Sequence, residues 1–253
     1  MSILIVFRGN CDRSDAIDYI YRNHKIKISN YLEENGYKID YVISSYDENL
    51  EMLDKWKRLI NPIKIFTMSS HGSNQAHNFM FTIKNIHNEI DYKKYDKILI
   101  LRFDIIYKRG MKFWNIFNKN GFIVPFKEHD IEFYNKTKYT GDSVMWIDTN
   151  IFHKVHISLS ASYTLYCIDS NLKFDEQIEP PFKSILHNVP NIISYFYPDI
   201  NIDFFIDGYW QSCTVLDKDD KKLNPLFINI FRRYNNDDMY LCDLNDNEID
   251  TLC

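Results

Sequence analysis

Arg102 and Asp104 stand at the end of an almost wholly apolar run, ILIL at 98–101, and apolar residues resume directly after them. Such a run reads as a buried strand of a mostly parallel sheet. Open α/β sheets bind ligands at the carboxyl ends of those strands. Side chains alternate along a strand, so Arg102 and Asp104 are expected on one side and Phe103 on the other. The negative charge of a nucleoside diphosphate must be neutralised when it binds. Asp104 could ligate a divalent cation that bridges the two phosphates, and Arg102 could contact phosphate or hold Asp104 in position. The plainer alternative is a partly buried Arg–Asp pair that only supports the fold.

Other residue types point the same way. Arg8-Gly9 ends the first apolar run, where glycine permits close backbone approach and arginine can reach a phosphate or a base; Asn10, Asp12 and Arg13 extend that polar tip. Ser73, Asn74 and Gln75 open a helix whose first turn offers unpaired N–H groups to an anion or a base carbonyl, with simple capping as the alternative. Asp142, after Gly141, is expected to be an exposed carboxylate able to take a proton from an acceptor hydroxyl. Asp130 and Glu132 are alternative bases, and Asp148 suits a helix cap. His187, Asp203 and Asp207 could add a late metal ligand or acceptor contact, and Tyr209 and Trp210 could stack on a sugar ring. His71 and His77 lack metal-ligand spacing and read as loop and helix-surface residues.

The elements that would position these groups alternate for about a hundred residues. Strands are expected at 3–7, 39–43, 63–66 and 97–103, and helices at 14–34, 49–60 and from about 73. The last helix is marked by Ala76, Phe79, Met80, Ile83, Ile86 and Ile90 at three- and four-residue spacing, with Ser73 as N-cap. That order builds a parallel sheet with crossovers. Afterwards a short helix is expected at 113–117, strands at 121–125 and 143–147, a helix at 149–160 and another at 182–187. The expected fold class is α/β, one domain over 1–253, with 1–110 as the nucleotide-binding half and 111–253 as the acceptor side and covering elements.

Composition bounds the alternatives. The chain has 253 residues, 45% hydrophobic and 26% charged, with formal net charge −5, so a soluble globular protein with a real core is expected. Lys and Arg are dispersed, which argues against a nucleic-acid partner. Five distant cysteines (Cys11, Cys167, Cys213, Cys242 and Cys253) without a CxxC pair fit a reduced compartment. No apolar run approaches the roughly 20 residues of a transmembrane segment. Oligomeric state has no sequence signature here.

Taken together, Arg8-Gly9, the helix starting near Gln75, Arg102-Phe103-Asp104 and Gly141-Asp142-Ser143 resemble the GT-A-fold glycosyltransferases of polysaccharide-synthesis clusters and giant viruses. The resemblance covers residues 1–160. It implies a GT-A-like sheet and a UDP- or GDP-linked sugar as donor. The acceptor would be a glycan or glycoprotein, and Mn²⁺ or Mg²⁺ would sit on Asp104. Arg8 and Gly9 would line the nucleotide pocket, and Asp142 would face the acceptor. Arg102 stands where the fuller Asp-x-Asp motif has its first aspartate. The Asn- and Lys-rich composition resembles that of large DNA viruses. The implied location is cytoplasmic, the host cytoplasm if viral, with virion association as an alternative. A sugar-phosphate nucleotidyltransferase is an alternative that would use the same carboxylate but would more naturally carry a Gly- and Lys-rich phosphate loop, which is missing after the first strand. A catalytically inactive glycan-binding or virion protein on the same scaffold is the reading from another class.

Overall fold

A computed structural model describes residues 1–11, 17–48, 50–71, 74–114, 116–169, 186–211, 214–216, 219, 221–223 and 227–229. Among them the first half alternates as expected. The strands are β1 (Ser2–Arg8), β2 (Lys38–Tyr46), β3 (Lys64–Met68) and β4 (Lys97–Arg102). Between them run α1 (Ile17–His24), a π-helical stretch Lys25–Ser29, α2 (Asn30–Glu34), α3 (Leu50–Ile60) and α4 (Gln75–Glu89). Next come β5 (Ile105–Tyr107), β6 (Phe122–Val124), β7 (Lys127–Glu128), α5 (Ile131–Thr137), β8 (Val144–Asp148), α6 (Thr149–Asp169), α7 (Val189–Phe196) and β9 (Ile202–Phe204). The short strands β10 (Tyr209–Gln211), β11 (Thr214–Leu216), β12 (Lys222–Leu223) and β13 (Phe227–Asn229) follow.

The chain forms a mostly parallel central sheet flanked by helices, the expected α/β class. Its seven strands run in the order β3-β2-β1-β4-β8-β6-β9, drawing on both halves of the sequence. β1 pairs in parallel with β2 and with β4. β8 runs antiparallel to β4, with Val144 opposite Leu101 and Asp148 opposite Lys97. That reversal brings the start of β8 to the carboxyl end of β4.

Two apolar layers hold the sheet. On one face, Ile3, Ile5 and Phe7 pack with Ile17 and Ile20 of α1, Leu32 of α2, and Leu53 and Trp56 of α3. On the other, Leu4, Val6, Ile98 and Ile100 pack with Phe79, Ile83 and Ile86 of α4, Phe152, Val155 and Leu159 of α6, and Ile192 and Ile193 of α7. Strand positions alternate between the layers because successive side chains point to opposite faces. Ile3, Leu4, Ile5 and Val6 have no exposure, which is why β1 is apolar without a break. Each such side chain contributes roughly 1.5–3 kcal/mol of burial.

Several local expectations change. The N-cap of α4 is Asn74, whose Oδ1 accepts the His77 N–H at 3.0 Å; Ser73 lies outside the described residues. The asparagine is extended at φ −132°, which aims its side chain back over the first turn. The helix expected at 113–117 is a 3₁₀ turn, Met111–Phe113, ahead of a turn in which the Lys119 N–H donates to the Ile116 carbonyl at 2.9 Å. α6 continues to Asp169, past the expected end at 160. Most of the helix expected at 182–187 lies outside the described residues, as do Asp12 and Arg13. Among the described residues, no helix is long and apolar enough to cross a membrane.

Candidate functional site

The carboxyl ends of β1 and β4 carry two arginines in register: Arg8 pairs directly with Arg102 across the strands. Arg8 is 1% exposed and Arg102 6%. Two adjacent buried cations require anions, and the reversed strand β8 delivers one. Asp142 precedes β8 by two residues, and the neighbouring Ser143 carbonyl accepts the Arg102 N–H at 3.3 Å. Arg8 Nη2 donates to the Asp142 carbonyl at 2.7 Å and to its Oδ2 at 3.1 Å. Arg102 Nη1 lies 3.3 Å from both Asp142 carboxylate oxygens.

The other side of the Arg102 fork holds Asp104. Nε donates to Oδ1 at 2.9 Å and Nη2 to Oδ2 at 2.7 Å, a bidentate pair. β4 ends at Arg102, and the chain turns at Phe103 and Asp104. Arg102 and Asp104 meet as expected, and Phe103 joins the opposite apolar layer beside Trp56, ring centroids 5.0 Å apart. Each nitrogen of the Arg102 guanidinium therefore has an acceptor, but not each nitrogen of Arg8. Its Nε and Nη1 are buried with no hydrogen-bond partner among the described residues, while its guanidinium lies 5.1 Å from the Phe79 ring centroid. Buried polar groups are nearly always paired, so orphaned N–H groups on a cation need a physical reason. Ser143 Oγ and both amide atoms of the fully buried Asn78 are unpartnered in the same way.

The electrostatics follow from this packing. Burial works to raise the Asp142 pKa, but Arg102 and Arg8 outweigh it and hold it at about 2. Burial lowers the pKa of Arg8, with Asp142 opposing and Arg102 reinforcing. Burial would also lower that of Arg102, but Asp142 and Asp104 overcome it and raise it. The exposed carboxylate expected at Asp142 is instead buried at 7% exposure, because the two arginines draw it inward.

Glycine fixes two turns of the site. Gly9 has φ +98°, a conformation open to glycine, and its N–H donates to the Ser44 carbonyl at 3.0 Å. The Ser45 hydroxyl donates to the Gly9 carbonyl at 2.9 Å. Gly141 leaves room for an aromatic ring: a Cβ there would lie 2.7 Å from Phe126 Cε2. Phe126 stacks on Trp210 at 4.8 Å and 15°, so one proposed sugar platform is itself part of a packed pair.

Four anticipated residues thus converge: Arg8, Arg102, Asp104 and Asp142. Gly9 supplies the turn after Arg8. Asn10 is exposed beyond it, and Gln75 is exposed in the first turn of α4. The other acidic candidates lie elsewhere. Asp130 caps α5 through the Phe133 N–H at 2.8 Å, and Glu132 is exposed in its first turn. Asp148 pairs with Lys97 and accepts the Gly121 N–H at 2.9 Å; Asp203 pairs with Lys119 and Asp207 with Lys127. His187 Nδ1 lies 2.9 Å from Glu128 Oε1. Burial lowers its pKa, but Glu128 and then Asp142 bring the net shift upward.

Sequence reading missed Tyr46, Asn78 and Glu128. Tyr46 ends β2 close enough to Arg8 and Arg102 for both charges to oppose the rise that burial gives its pKa. Its signal was a polar-tipped residue at a third strand end. Asn78 was hidden on the buried face of an otherwise apolar helix.

Asp104 is the one described carboxylate here suited to a cation. Both of its oxygens are already engaged by Arg102, although each keeps a lone pair, and the side chain is 12% exposed. One carboxylate is short of a self-sufficient metal site. It does fit the manner in which Mg²⁺ is held by one or two carboxylates together with substrate phosphates.

No protein-family model matches the sequence, and no curated protein does. Among solved structures the chain is similar to a glycosyltransferase involved in the glycosylation of the major capsid of PBCV-1, at 13% identity and TM-score 0.45, over 99% of this chain and 98% of that one. It is similar to mouse xyloside xylosyltransferase 1 at 10% identity and TM-score 0.41, over 81% and 84%. It is also similar to 4-diphosphocytidyl-2C-methyl-D-erythritol synthase from Anaerococcus prevotii at 8% identity and TM-score 0.47, over 88% and 92%.

Proposed function

We propose that this chain is a glycosyltransferase that moves a sugar from a UDP- or GDP-linked donor to a hydroxyl of a glycan or glycoprotein. The observation that carries the reading is the pair of buried guanidiniums at neighbouring parallel strand ends, one of which keeps unpartnered Nε and Nη1 groups. A diphosphate is the ligand class that would satisfy those donors. Arg8 binds the phosphates, Gly9 lets the main chain approach them, and Arg102 holds Asp104 beside them. Asn10 and Gln75 line the nucleotide side. Asp104 would hold Mg²⁺ or Mn²⁺ together with the phosphates, where the ion supplies charge neutralisation for the departing diphosphate.

The acceptor hydroxyl attacks the anomeric carbon, its C–O bond forms as the sugar–phosphate bond breaks, and its proton passes to a base. His187 suits that step, because Glu128 lies 2.9 Å from Nδ1, where it orients the ring and would stabilise the imidazolium formed on taking the proton. Asp142, anticipated as the base, is held at about 2 and suits the role of the anion that fixes both arginines. A single displacement of this kind inverts the anomeric centre.

Calorimetric titration of UDP and GDP, with and without Mn²⁺, tests the reading. Loss of charge-assisted hydrogen bonds of about 1.5–3 kcal/mol makes Arg8→Met bind about tenfold or more weakly. Asp104→Ala is expected to lose only the Mn²⁺-dependent part. Equal nucleotide affinity in wild type and Arg8→Met would remove the diphosphate reading. Equal Mn²⁺ dependence in wild type and Asp104→Ala would remove the metal role.

A further inference from the structure

Three histidines meet between α4 and α6, far from the arginine pair. His87 lies in the last turn of α4, and His153 and His156 stand three residues apart on α6, which places them on one helix face. α6 begins directly after Asp148, opposite Lys97 at the start of β4, so this cluster belongs to the other end of the sheet. One ring nitrogen from each histidine lies within 4.8 Å of the others. His87 Nε2 is 2.8 Å from His153 Nδ1, and the His87 and His156 rings stack at 4.1 Å and 9°.

The hydrogen bonds around the rings suit ligation. His87 Nδ1 lies 2.9 Å from Asn88 Oδ1, an acceptor, so Nδ1 carries the hydrogen and Nε2 keeps its lone pair. Such a bond to the far nitrogen is the common way a ligand imidazole is oriented. His156 Nδ1 is buried with no partner among the described residues, and its Nε2 lies 3.4 Å from Ser160 Oγ. An open depression of about 710 Å³ lined by His87, Tyr92, Lys93, Thr149, Asn150 and His153 gives a path from solvent.

We propose that His87, His153 and His156 form a three-histidine site for a borderline divalent ion of the Zn²⁺ class, with a fourth position open to water. All-imidazole ligation with no carboxylate, beside Lys84 and Lys93, selects Zn²⁺, Co²⁺, Ni²⁺ or Cu²⁺ over Mg²⁺, Mn²⁺ and Ca²⁺. Bonds of about 2.0–2.1 Å in a tetrahedron set the nitrogens about 3.3 Å apart, so His87 and His153 separate by about half an ångström. The stacked His87 and His156 rings turn about their Cβ–Cγ bonds to aim both lone pairs at the ion. The hydrogen on His153 Nδ1 moves to its Nε2, which leaves the proton count unchanged. The ion then ties the end of α4 to the start of α6.

The test is titration of the tag-free, chelator-treated full chain with Co²⁺, followed by visible absorption and by displacement with Zn²⁺. A single equivalent with the strong d–d bands of four-coordinate Co²⁺ is expected. His153→Ala, at an exposed position, and His87→Ala are expected to weaken binding about tenfold or more, with circular dichroism confirming their fold. Asp104→Ala keeps the bands, which separates this site from the strand-end one. Zn²⁺ raises the melting temperature of wild type and not of His153→Ala. Absent bands, or bands equally strong in both histidine variants, would overturn the proposal, as would their loss in Asp104→Ala.

Discussion

Asp142→Asn isolates the charge that holds the strand ends together. Asparagine keeps the shape and an acceptor oxygen, and the main-chain carbonyl still takes Arg8 Nη2 at 2.7 Å. What disappears is the negative charge between two guanidiniums that lie in register. The Asp142 pKa is lowered from 3.8 to about 2. At about 1.4 kcal/mol per decade of proton affinity, the depression is worth roughly 2 kcal/mol at neutral pH. Removing one partner of a buried pair costs about 3–5 kcal/mol, and the retained hydrogen bonds place this variant near the lower end. A folded-state pKa below the unfolded one contributes stability above the unfolded value and loses it as pH falls through the folded value. The gap between wild type and variant is therefore widest above about pH 5 and shrinks by roughly 1 kcal/mol by pH 3. Urea unfolding followed by tryptophan fluorescence at pH 7, 5, 4 and 3 reads this directly. A gap below 1 kcal/mol at pH 7, or one that stays constant down to pH 3, would refute the electrostatic account.

The glycines should separate crowding from backbone strain. Gly141→Ala places a Cβ against the Phe126 ring and is expected to cost about 1–3 kcal/mol by overpacking; an unfolding midpoint equal to wild type would contradict it. Gly9→Ala meets no atom within 4 Å, so its cost of about 1–2 kcal/mol comes from φ +98° alone, and Gly9→Asn should cost less in the same assay. Glu128→Gln removes the carboxylate that raises the His187 pKa. A raised folded-state value gives stability that is present below the ordinary 6.5 and lost as pH rises through the folded value. Wild type should thus lose more stability than the variant between pH 6 and 8, and the His187 NMR titration should move to lower pH in Glu128→Gln; an unmoved titration would dismiss the pairing.

Local chemistry made much of the chain legible in one dimension. The unbroken apolar runs of β1 and β4 declared buried parallel strands, because burial on both faces leaves no polar alternation. The spacing of Phe79, Ile83 and Ile86 declared α4 and its buried face, since a helix repeats every 3.6 residues. Arg8 and Arg102 were recognisable as strand-end residues for the same reason. Asp142 was singled out, but its surroundings were not. A segment such as 143–147 reads as a strand whichever way it runs, and only its antiparallel pairing with β4 carries Asp142 to the two arginines. That contact turned an expected exposed base into a buried counter-ion. The histidine cluster was beyond reach for the same kind of reason: His87 and His153 are 66 positions apart, and their meeting depends on α4 and α6 packing on one face of the sheet. Side-chain type and periodicity are local properties, so the sequence determined the elements and their buried faces. Strand direction and helix neighbourhood are settled by the global burial of apolar surface, and they decided which charged and ligating groups stand together.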